Sequence, residues 1–321
     1  MAKKILVTGI SGFVGSHLAE YLVSKKNGDE IYGTYLSDNG LKNINSVKNE
    51  ISLTKVDLSN ENSVNNLFEK IKPDSIYHLA ALTSVAESFA SPKEPVINNI
   101  SSQINVLEAM RNNKLENSKL LVVSSAEVYG DVAESDLPVD ENTPFRPTNS
   151  YAVSKLAQDY LGLQYNLAYK LKIVRVRPFN HIGPRQGPNF VVAAFAKKIV
   201  EIEKGKRENV LTVGNLEAKR DFTDVRDIVR AYDLALEKCE DGDVYNLGSG
   251  KSYKIKEILD KMISMSKAEI KIETDKSLLR PIDNPELVCD SSKFKKATGW
   301  ETTIDIDKTL KDTLDYWREI I

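Results

Sequence analysis

The chain has 321 residues, 41% hydrophobic and 28% charged, with 44 basic residues against 46 acidic ones and a net charge of −2. That length supports one large α/β unit or two lobes on a shared core, and the near-neutral balance offers no field for nucleic acid or a membrane surface. Two cysteines (Cys239, Cys289), three scattered histidines (His17, His78, His181) and the lack of a long apolar run argue against a disulfide framework, a metal site, a signal peptide and a membrane span, so a reducing cytoplasm is the expected compartment.

A short β-branched run ends at Thr8 and meets Gly9-Ile-Ser11-Gly12-Phe13-Val14-Gly15, after which Val14, Leu18, Tyr21 and Leu22 share a helical face. Strand, glycine turn and helix in that order place a dinucleotide pyrophosphate at the helix N-terminus. Gly9 is expected to make the tight turn, Gly12 to admit the phosphates and Gly15 to pack helix on strand. Glu30–Tyr35 reads as the second strand. Its end, Tyr35-Leu36, holds neither the acid that binds a ribose 2′-hydroxyl nor an arginine for a 2′-phosphate. The missing acid slightly favours NADP(H) and leaves NAD(H) open, with Asp38 available for NAD and Lys42 for a phosphate.

The third strand, Ile51–Val56, runs into Asp57 and Leu58; Asp57 is placed either to accept the adenine amine or to cap the next helix. The fourth, Asp74–His78, continues into Leu79-Ala80-Ala81, small enough to pass beneath a cofactor. Thr83, Ser84, Glu87 and Ser88 then form a polar rim facing a substrate. A helix from Asn98 and Asn99 to Met110 precedes a fifth strand, Lys119–Val123. Strands alternating with helices predict a doubly wound parallel sheet.

The fifth strand ends in Ser124-Ser125-Ala126-Glu127, and Tyr151-x-x-x-Lys155 opens the next helix. Tyr21 and Lys25 repeat that spacing, so the spacing alone means little, and this earlier pair is expected to be structural. Only Tyr151 and Lys155 follow a strand whose carboxyl end carries hydroxyls and an acid, where open α/β sheets bind ligands. A phenol with an ordinary pKa near 10 exchanges protons poorly at neutral pH. A lysine one turn away is expected to lower it, and a serine to hold the same substrate oxygen. In the second half, a sixth strand (Leu171–Val176), short strands at 209–213 and 243–247, and helices at 191–203, 225–237, 254–265 and 306–317 suggest a smaller α/β lobe closing over the sheet edge. Residues 1–178 are expected to form the dinucleotide-binding domain, with a further strand near 244–247, and 179–321 mainly the substrate lobe.

Thr8-Gly9-x-x-Gly12-x-x-Gly15, Asp57-Leu58, His78-Leu-Ala-Ala81, Ser125-x-Glu127-x-Tyr-Gly130 and Tyr151-x-x-x-Lys155 together resemble the extended short-chain dehydrogenase/reductase family of nucleotide-sugar epimerases, dehydratases and reductases. Arg177-Pro178-Phe-Asn180-His181, Pro188 to Val191, Val213 to Ala218, Arg220 to Asp227 and Leu279-Arg280-Pro281 resemble the branch acting on GDP-mannose derivatives. What the resemblance implies is a GDP-linked hexose as substrate and a Rossmann-type cofactor site. That site would comprise Gly9, Ser11, Gly12, Phe13, Val14, Gly15, Tyr35, Asp57, Leu58, Leu79, Ala80, Ala81, Thr83, Asn98, Tyr151, Lys155, Pro178 and His181. Ser125, Glu127, Tyr151 and Lys155 would be catalytic, and Ser84, Ser125, Glu127, Asn180, Val191, Arg220 and Arg280 would hold substrate.

Arg220 and Arg280 suit the diphosphate because a guanidinium fork matches phosphate oxygens, and Arg185 is a further candidate. The leading expectation is reduction of a C4 ketone on a GDP-4-keto-6-deoxy-hexose to GDP-D-rhamnose. Redox-neutral 4,6-dehydration of GDP-mannose, or another epimerase-type activity, is the alternative, and a non-catalytic nucleotide-sugar binding protein a third. Glu127 matches the acid that removes the C5 proton in the dehydratases, whereas Ala126 replaces their polar or acidic neighbour. The family also implies a homodimer through the helices bearing Leu156, Leu163, Ile104 and Leu107.

Overall fold

The computed structural model describes residues 2–279, 282 and 284–321. The β-branched run at the N-terminus forms β1 (Lys4–Thr8), and the glycine turn launches α1 (Phe13–Ser24). The first half then alternates: β2 (Glu30–Tyr35), a short 3-10 helix (Asp38–Ile44), β3 (Ile51–Lys55), α2 (Glu61–Ile71), β4 (Ser75–His78), α3 (Val85–Ala90), α4 (Lys93–Asn112) and β5 (Lys119–Val123). A 3-10 turn (Ala126–Tyr129) and a loop lead to α5 (Ser150–Tyr169), β6 (Lys172–Pro178), β7 (Asn180–Ile182), α6 (Val191–Glu203), β8 (Val210–Val213), β9 (Lys219–Asp224) and α7 (Val225–Lys238). The chain ends with β10 (Val244–Leu247), β11 (Ser252–Lys254), α8 (Ile255–Ser264), β12 (Lys271–Thr274), β13 (Glu286–Leu287), α9 (Ser292–Thr298) and α10 (Ile306–Ile320).

Seven strands make one parallel sheet in the order β10-β6-β5-β4-β1-β2-β3. Its inner strands β1 and β5 are continuous apolar runs (Ile5-Leu6-Val7, Leu120-Leu121-Val122) because helices cover both faces. α1 and α7 pack on one side, and α2, α4 and α5 on the other. Strand order reverses between β1 and β4, which makes the carboxyl ends of those strands the natural ligand crevice. Beyond that edge, β9 pairs with β7, β11 and β13, β8 pairs with β12, and α6, α8 and α10 bury Val192, Ile199, Leu259 and Leu314 in a separate core.

Two expectations change. α4 starts at Lys93 rather than at Asn98, since Pro92 and Pro95 sit at its cap and first turn, where a missing N–H costs nothing. Of the four apolar positions proposed as spare, Leu107 is fully buried and Leu156 packs against the cluster containing Val128 and Tyr129, whereas Ile104 and Leu163 are half-buried. The exposed apolar residues of these two helices are Ile97, Val153, Tyr160, Leu167 and Tyr169. Periodicity finds an apolar stripe but does not say which neighbour covers it.

Candidate active site

The glycine turn fits a dinucleotide on steric grounds. Gly9 lies at φ +68°, where a side chain is strained, and a Cβ there would come within 3.0 Å of the Ala80 backbone. A Cβ on Gly15 would stand 2.3 Å from the Gly9 carbonyl oxygen, so α1 could not approach the turn. Gly12 is exposed and caps α1 without a side-chain bond, with Phe13 and Val14 half-buried behind it. The first N–H groups of a helix lack intrahelical partners, and here they open onto a bare turn, as a pyrophosphate requires. The Ser11 carbonyl is tied down by Asn43 Nδ2 at 3.0 Å.

Around this turn the carboxyl edge assembles most of the predicted positions. Thr8 Oγ1 hydrogen-bonds His78 Nδ1 at 2.9 Å and accepts from the N–H groups of Leu79 and Ala80, pinning the Leu79–Ala81 segment beside β1. Tyr35 ends β2, Asp57 and buried Leu58 follow β3, and Pro178 ends β6. Asp57 does not cap α2. Its carboxylate accepts from the N–H and hydroxyl of Ser59, which hold it below the usual carboxylate range, while Asn60 caps the helix through Ser63 N–H. Thr83 is exposed and Asn98 half-buried; the fully buried neighbour Asn99 makes the clamp instead. Its amide bonds both backbone groups of Leu82 and donates to Ser154 Oγ at 3.0 Å, joining the β4 loop to α5. Across the crevice, Phe13 and His181 stack with centroids 6.0 Å apart, bringing α1 against β7.

The Ser125–Glu127 turn and α5 are locked together by residues whose partners are remote in sequence. Asn149 is the N-cap of α5: its Oδ1 accepts from Ala152 N–H at 2.8 Å, and its Nδ2 donates to Glu127 Oε2 at 3.3 Å. Ser124 Oγ donates to the Lys155 carbonyl at 3.1 Å, and Ser150 Oγ donates to Ser88 O at 2.8 Å, seating α3 on the helix start. Ser84, buried at the rim, caps α3 through Glu87 N–H. The buried face of α5 is unusually polar (Tyr151, Ser154, Lys155, Gln158, Asp159), and Asp159 pairs with Arg175 and with Arg177 Nε at 2.7 Å. Arg177 therefore faces inward, donating also to Tyr129 OH at 3.0 Å, and in this arrangement it braces the Ser125–Glu127 turn.

Lys155 Nζ donates to Val123 O at 2.9 Å, and burial brings its ammonium down to about 7. Burial also raises the Tyr151 phenol well above its ordinary value; Ser125 pulls it back and Glu127 pushes it further up. The expected depression of Tyr151 by Lys155 is thus absent, because the lysine is turned to the strand carbonyl. What the site holds is a protonated phenol.

Glu127, Asn149 and Arg220 line one cleft with Phe89, Asn284 and Leu287. Arg220 donates to the Asn284 carbonyl at 2.8 Å, and Asn284 Nδ2 donates to Gly130 O, so β9 is strapped to the end of the Ala126–Tyr129 turn. Asn180 and Val191 are exposed at the starts of β7 and α6 and do not line this cleft. Arg280 lies outside the described residues. Arg185 is engaged elsewhere: its guanidinium binds both oxygens of Glu20 and donates to His17 Nδ1 at 2.8 Å, on the flank of α1. Among the described residues no cluster of His, Cys, Asp and Glu could hold a metal.

Asn149, Asn99 and Ser124 were missed by sequence reasoning. Only Asn149 left a local sign, an asparagine immediately before a helix.

The profile of the GDP-mannose 4,6 dehydratase family matches residues 6–313. The chain is 33% identical to a GDP-6-deoxy-D-mannose reductase of Pseudomonas aeruginosa over 99% of its own length and 98% of the relative's. It is 32% identical to GDP-mannose 4,6 dehydratase 1 of Arabidopsis thaliana, covering 98% and 89% of the two chains. Its fold superposes on RMD from Pseudomonas aeruginosa complexed with NADPH with a TM-score of 0.85, at 32% identity and covering 100% of both chains. The chain belongs to the GDP-mannose 4,6-dehydratase family, a nucleotide-sugar branch of the extended short-chain dehydrogenases/reductases.

Proposed function

We propose that the protein reduces the C4 ketone of a GDP-4-keto-6-deoxy-hexose to GDP-D-rhamnose, with NADP(H) favoured over NAD(H). The observation that carries this over dehydration is Ala126. It is 3% exposed and packed with Val128, Tyr129 and Phe179, so the position beside Glu127 offers no second acid or hydroxyl to help a C6 hydroxyl leave. The reductase relative and the NADPH complex of a structural neighbour support the same assignment.

In this reading residues 1–178, with β10, hold the cofactor through the glycine turn, Asp57 and the Leu79–Ala81 segment, and 179–321 mainly hold the sugar nucleotide. When bound, the nicotinamide supplies the hydride that reaches C4. Tyr151 donates its proton to the C4 oxygen, so that the ketone gains one hydride and one proton and becomes the alcohol. Burial and Glu127 keep the phenol in the protonated form from which it donates, and the Ser125 hydroxyl acts against their upward shift. Ser125 donates to the same oxygen and fixes its position, and Lys155 orients the nicotinamide ribose. Arg220 takes a diphosphate oxygen.

Dehydration of GDP-mannose remains the second reading because Glu127 stands in the cleft as a base, held by Asn149. Redox balance separates the two. GDP-4-keto-6-deoxymannose with NADPH should consume one NADPH per sugar and yield GDP-D-rhamnose by NMR. Conversion of GDP-mannose to a 4-keto product without reductant would overturn the reductase reading.

The exposed Val153, Tyr160 and Leu167, seven residues apart on α5, support a homodimer through that helix. Tyr160→Glu with Leu167→Glu should then sediment as a monomer where the parent sediments as a dimer; a monomeric parent sinks the idea. Among the described residues no helix is long and apolar enough to cross a membrane. Two buried free cysteines suit the reducing cytoplasm in which we place the protein.

A further inference from the structure

The end of β2, where the adenosine ribose of a dinucleotide lies in this class of sheet, carries a charged pair with no part in the chemistry above. Lys55, the last residue of β3, is the ladder partner of Tyr35, the last residue of β2. Its Nζ lies 2.7 Å from Asp38 Oδ2. Asp38 opens the short helix Asp38–Ile44, and Asn43 of that helix holds the Ser11 carbonyl. The pair is thus fixed, through one short segment, to the turn that fits the pyrophosphate. Its side chains are 53% and 65% exposed, and an ion pair in water is worth so little that a stronger anion displaces its acid.

We infer that Lys55 is the specificity-determining residue for the 2′-phosphate of NADP(H), with Asp38 as its exchangeable counter-ion. A phosphate dianion outcompetes a single solvated carboxylate for the ammonium. Without the phosphate, Asp38 is left to accept a ribose 2′-hydroxyl, which makes NAD(H) usable. One lysine opposed by one acid gives a preference and not an exclusion. Lys42, the candidate from sequence, is an exposed side chain farther along the helix, whereas Lys55 stands beside the residue that ends β2. Arg185, packed beneath the same segment through Asn43 O, already spends its guanidinium on Glu20 and His17.

The proposal rests on the dinucleotide reading of the glycine turn, so the test uses binding and needs no sugar. Calorimetry on the intact protein compares NADP+ with NAD+, and adenosine 2′,5′-bisphosphate with 5′-AMP. Lys55→Gln should weaken both 2′-phosphorylated ligands about tenfold or more while NAD+ and AMP stay within about twofold. Asp38→Asn should tighten the 2′-phosphorylated pair and weaken NAD+ and AMP, which lose the carboxylate acceptor for the ribose 2′-hydroxyl. Equal loss for both classes in Lys55→Gln, no loss for either, or the selective loss appearing instead in Lys42→Gln would overturn it. A parent protein that binds AMP and NAD+ but not the 2′-phosphorylated ligands refutes the role of Lys55 alone. One that binds no nucleotide refutes the cofactor reading with it.

Discussion

Two Tyr-x-x-x-Lys pairs with the same helical spacing stand in this molecule, and their surroundings set them to different work. On α1, Tyr21 OH and Lys25 Nζ both donate to Asp233 Oδ2, at 3.2 and 2.6 Å, and Tyr77 OH donates to the other oxygen at 3.0 Å. Partial burial works against the Lys25 ammonium, but the bond to Asp233 outweighs it and raises its pKa. The pair is a clasp between α1, β4 and α7. On α5, Lys155 has no carboxylate beside it among the described residues: it donates to a strand carbonyl, and burial drives its ammonium down to about 7. Spacing places a phenol and an amine on one face; the counter-charge decides whether they hold the fold together or remain available for proton transfer.

Substitutions at the two pairs should separate these roles. The largest effect is expected from Tyr151→Phe, which should lower the rate of NADPH oxidation by at least about a hundredfold while nucleotide binding persists. Tyr21→Phe should stay within about twofold of the parent. Full activity in Tyr151→Phe would remove Tyr151 as the acid of the site.

Lys155→Met tests the missing counter-charge through stability. Below about pH 7 the lysine is charged in the folded and unfolded chains alike, so the folded state bears the full cost of a buried ammonium. Between about 7 and the ordinary 10.5 only the unfolded chain binds the proton, and the parent gains stability relative to the variant as pH rises. The melting temperature of Lys155→Met should therefore exceed the parent's most at about pH 6, and the gap should shrink toward about pH 10. A gap independent of pH would mean that the ammonium is not penalised.

Asp233→Ala should do the opposite kind of damage, costing about 1–3 kcal/mol because Tyr77 OH is left buried without its acceptor, while the activity per folded molecule is unchanged. Asn149→Ala should cost about 1 kcal/mol as a lost cap, measured by denaturant titration. It should also lower kcat more than it raises KM, because Glu127 loses its tether. Asn149→Asp restores the cap and not the donor, so it should recover stability without recovering kcat.

The seven strands of the parallel sheet and β8 were legible as short runs rich in β-branched and apolar residues, whereas β7, β9, β11, β12 and β13, short or polar, were not read; the glycine turn was legible because three close approaches leave no room for side chains there. α6 was read with its observed ends, Val191 and Glu203. What sequence could not show is which partner a polar side chain finds. Asn99 and Ser154 meet across the β4 loop and α5, and Asn149 and Glu127 across an excursion from the β5 edge. Asp57 and Asn60 each suit a helix cap by residue type, and only the backbone geometry awards it to Asn60. The same holds for Lys155, whose expected influence on Tyr151 depends on a rotamer and not on spacing. Arg185 looked like a phosphate ligand, and Arg177 stood in a segment matched to substrate binding; both are claimed by acids brought near through the fold, Glu20 and Asp159.

The central claim is that hydride passes from NADPH to C4 of the sugar and stays there. NADPH deuterated at the transferring position, incubated with GDP-4-keto-6-deoxymannose and this protein, tests it by NMR of the product. The account predicts deuterium at C4 of GDP-D-rhamnose, one atom per NADPH oxidised. Product carrying no deuterium at C4, or a sugar converted with the deuterated cofactor left unoxidised, would contradict it.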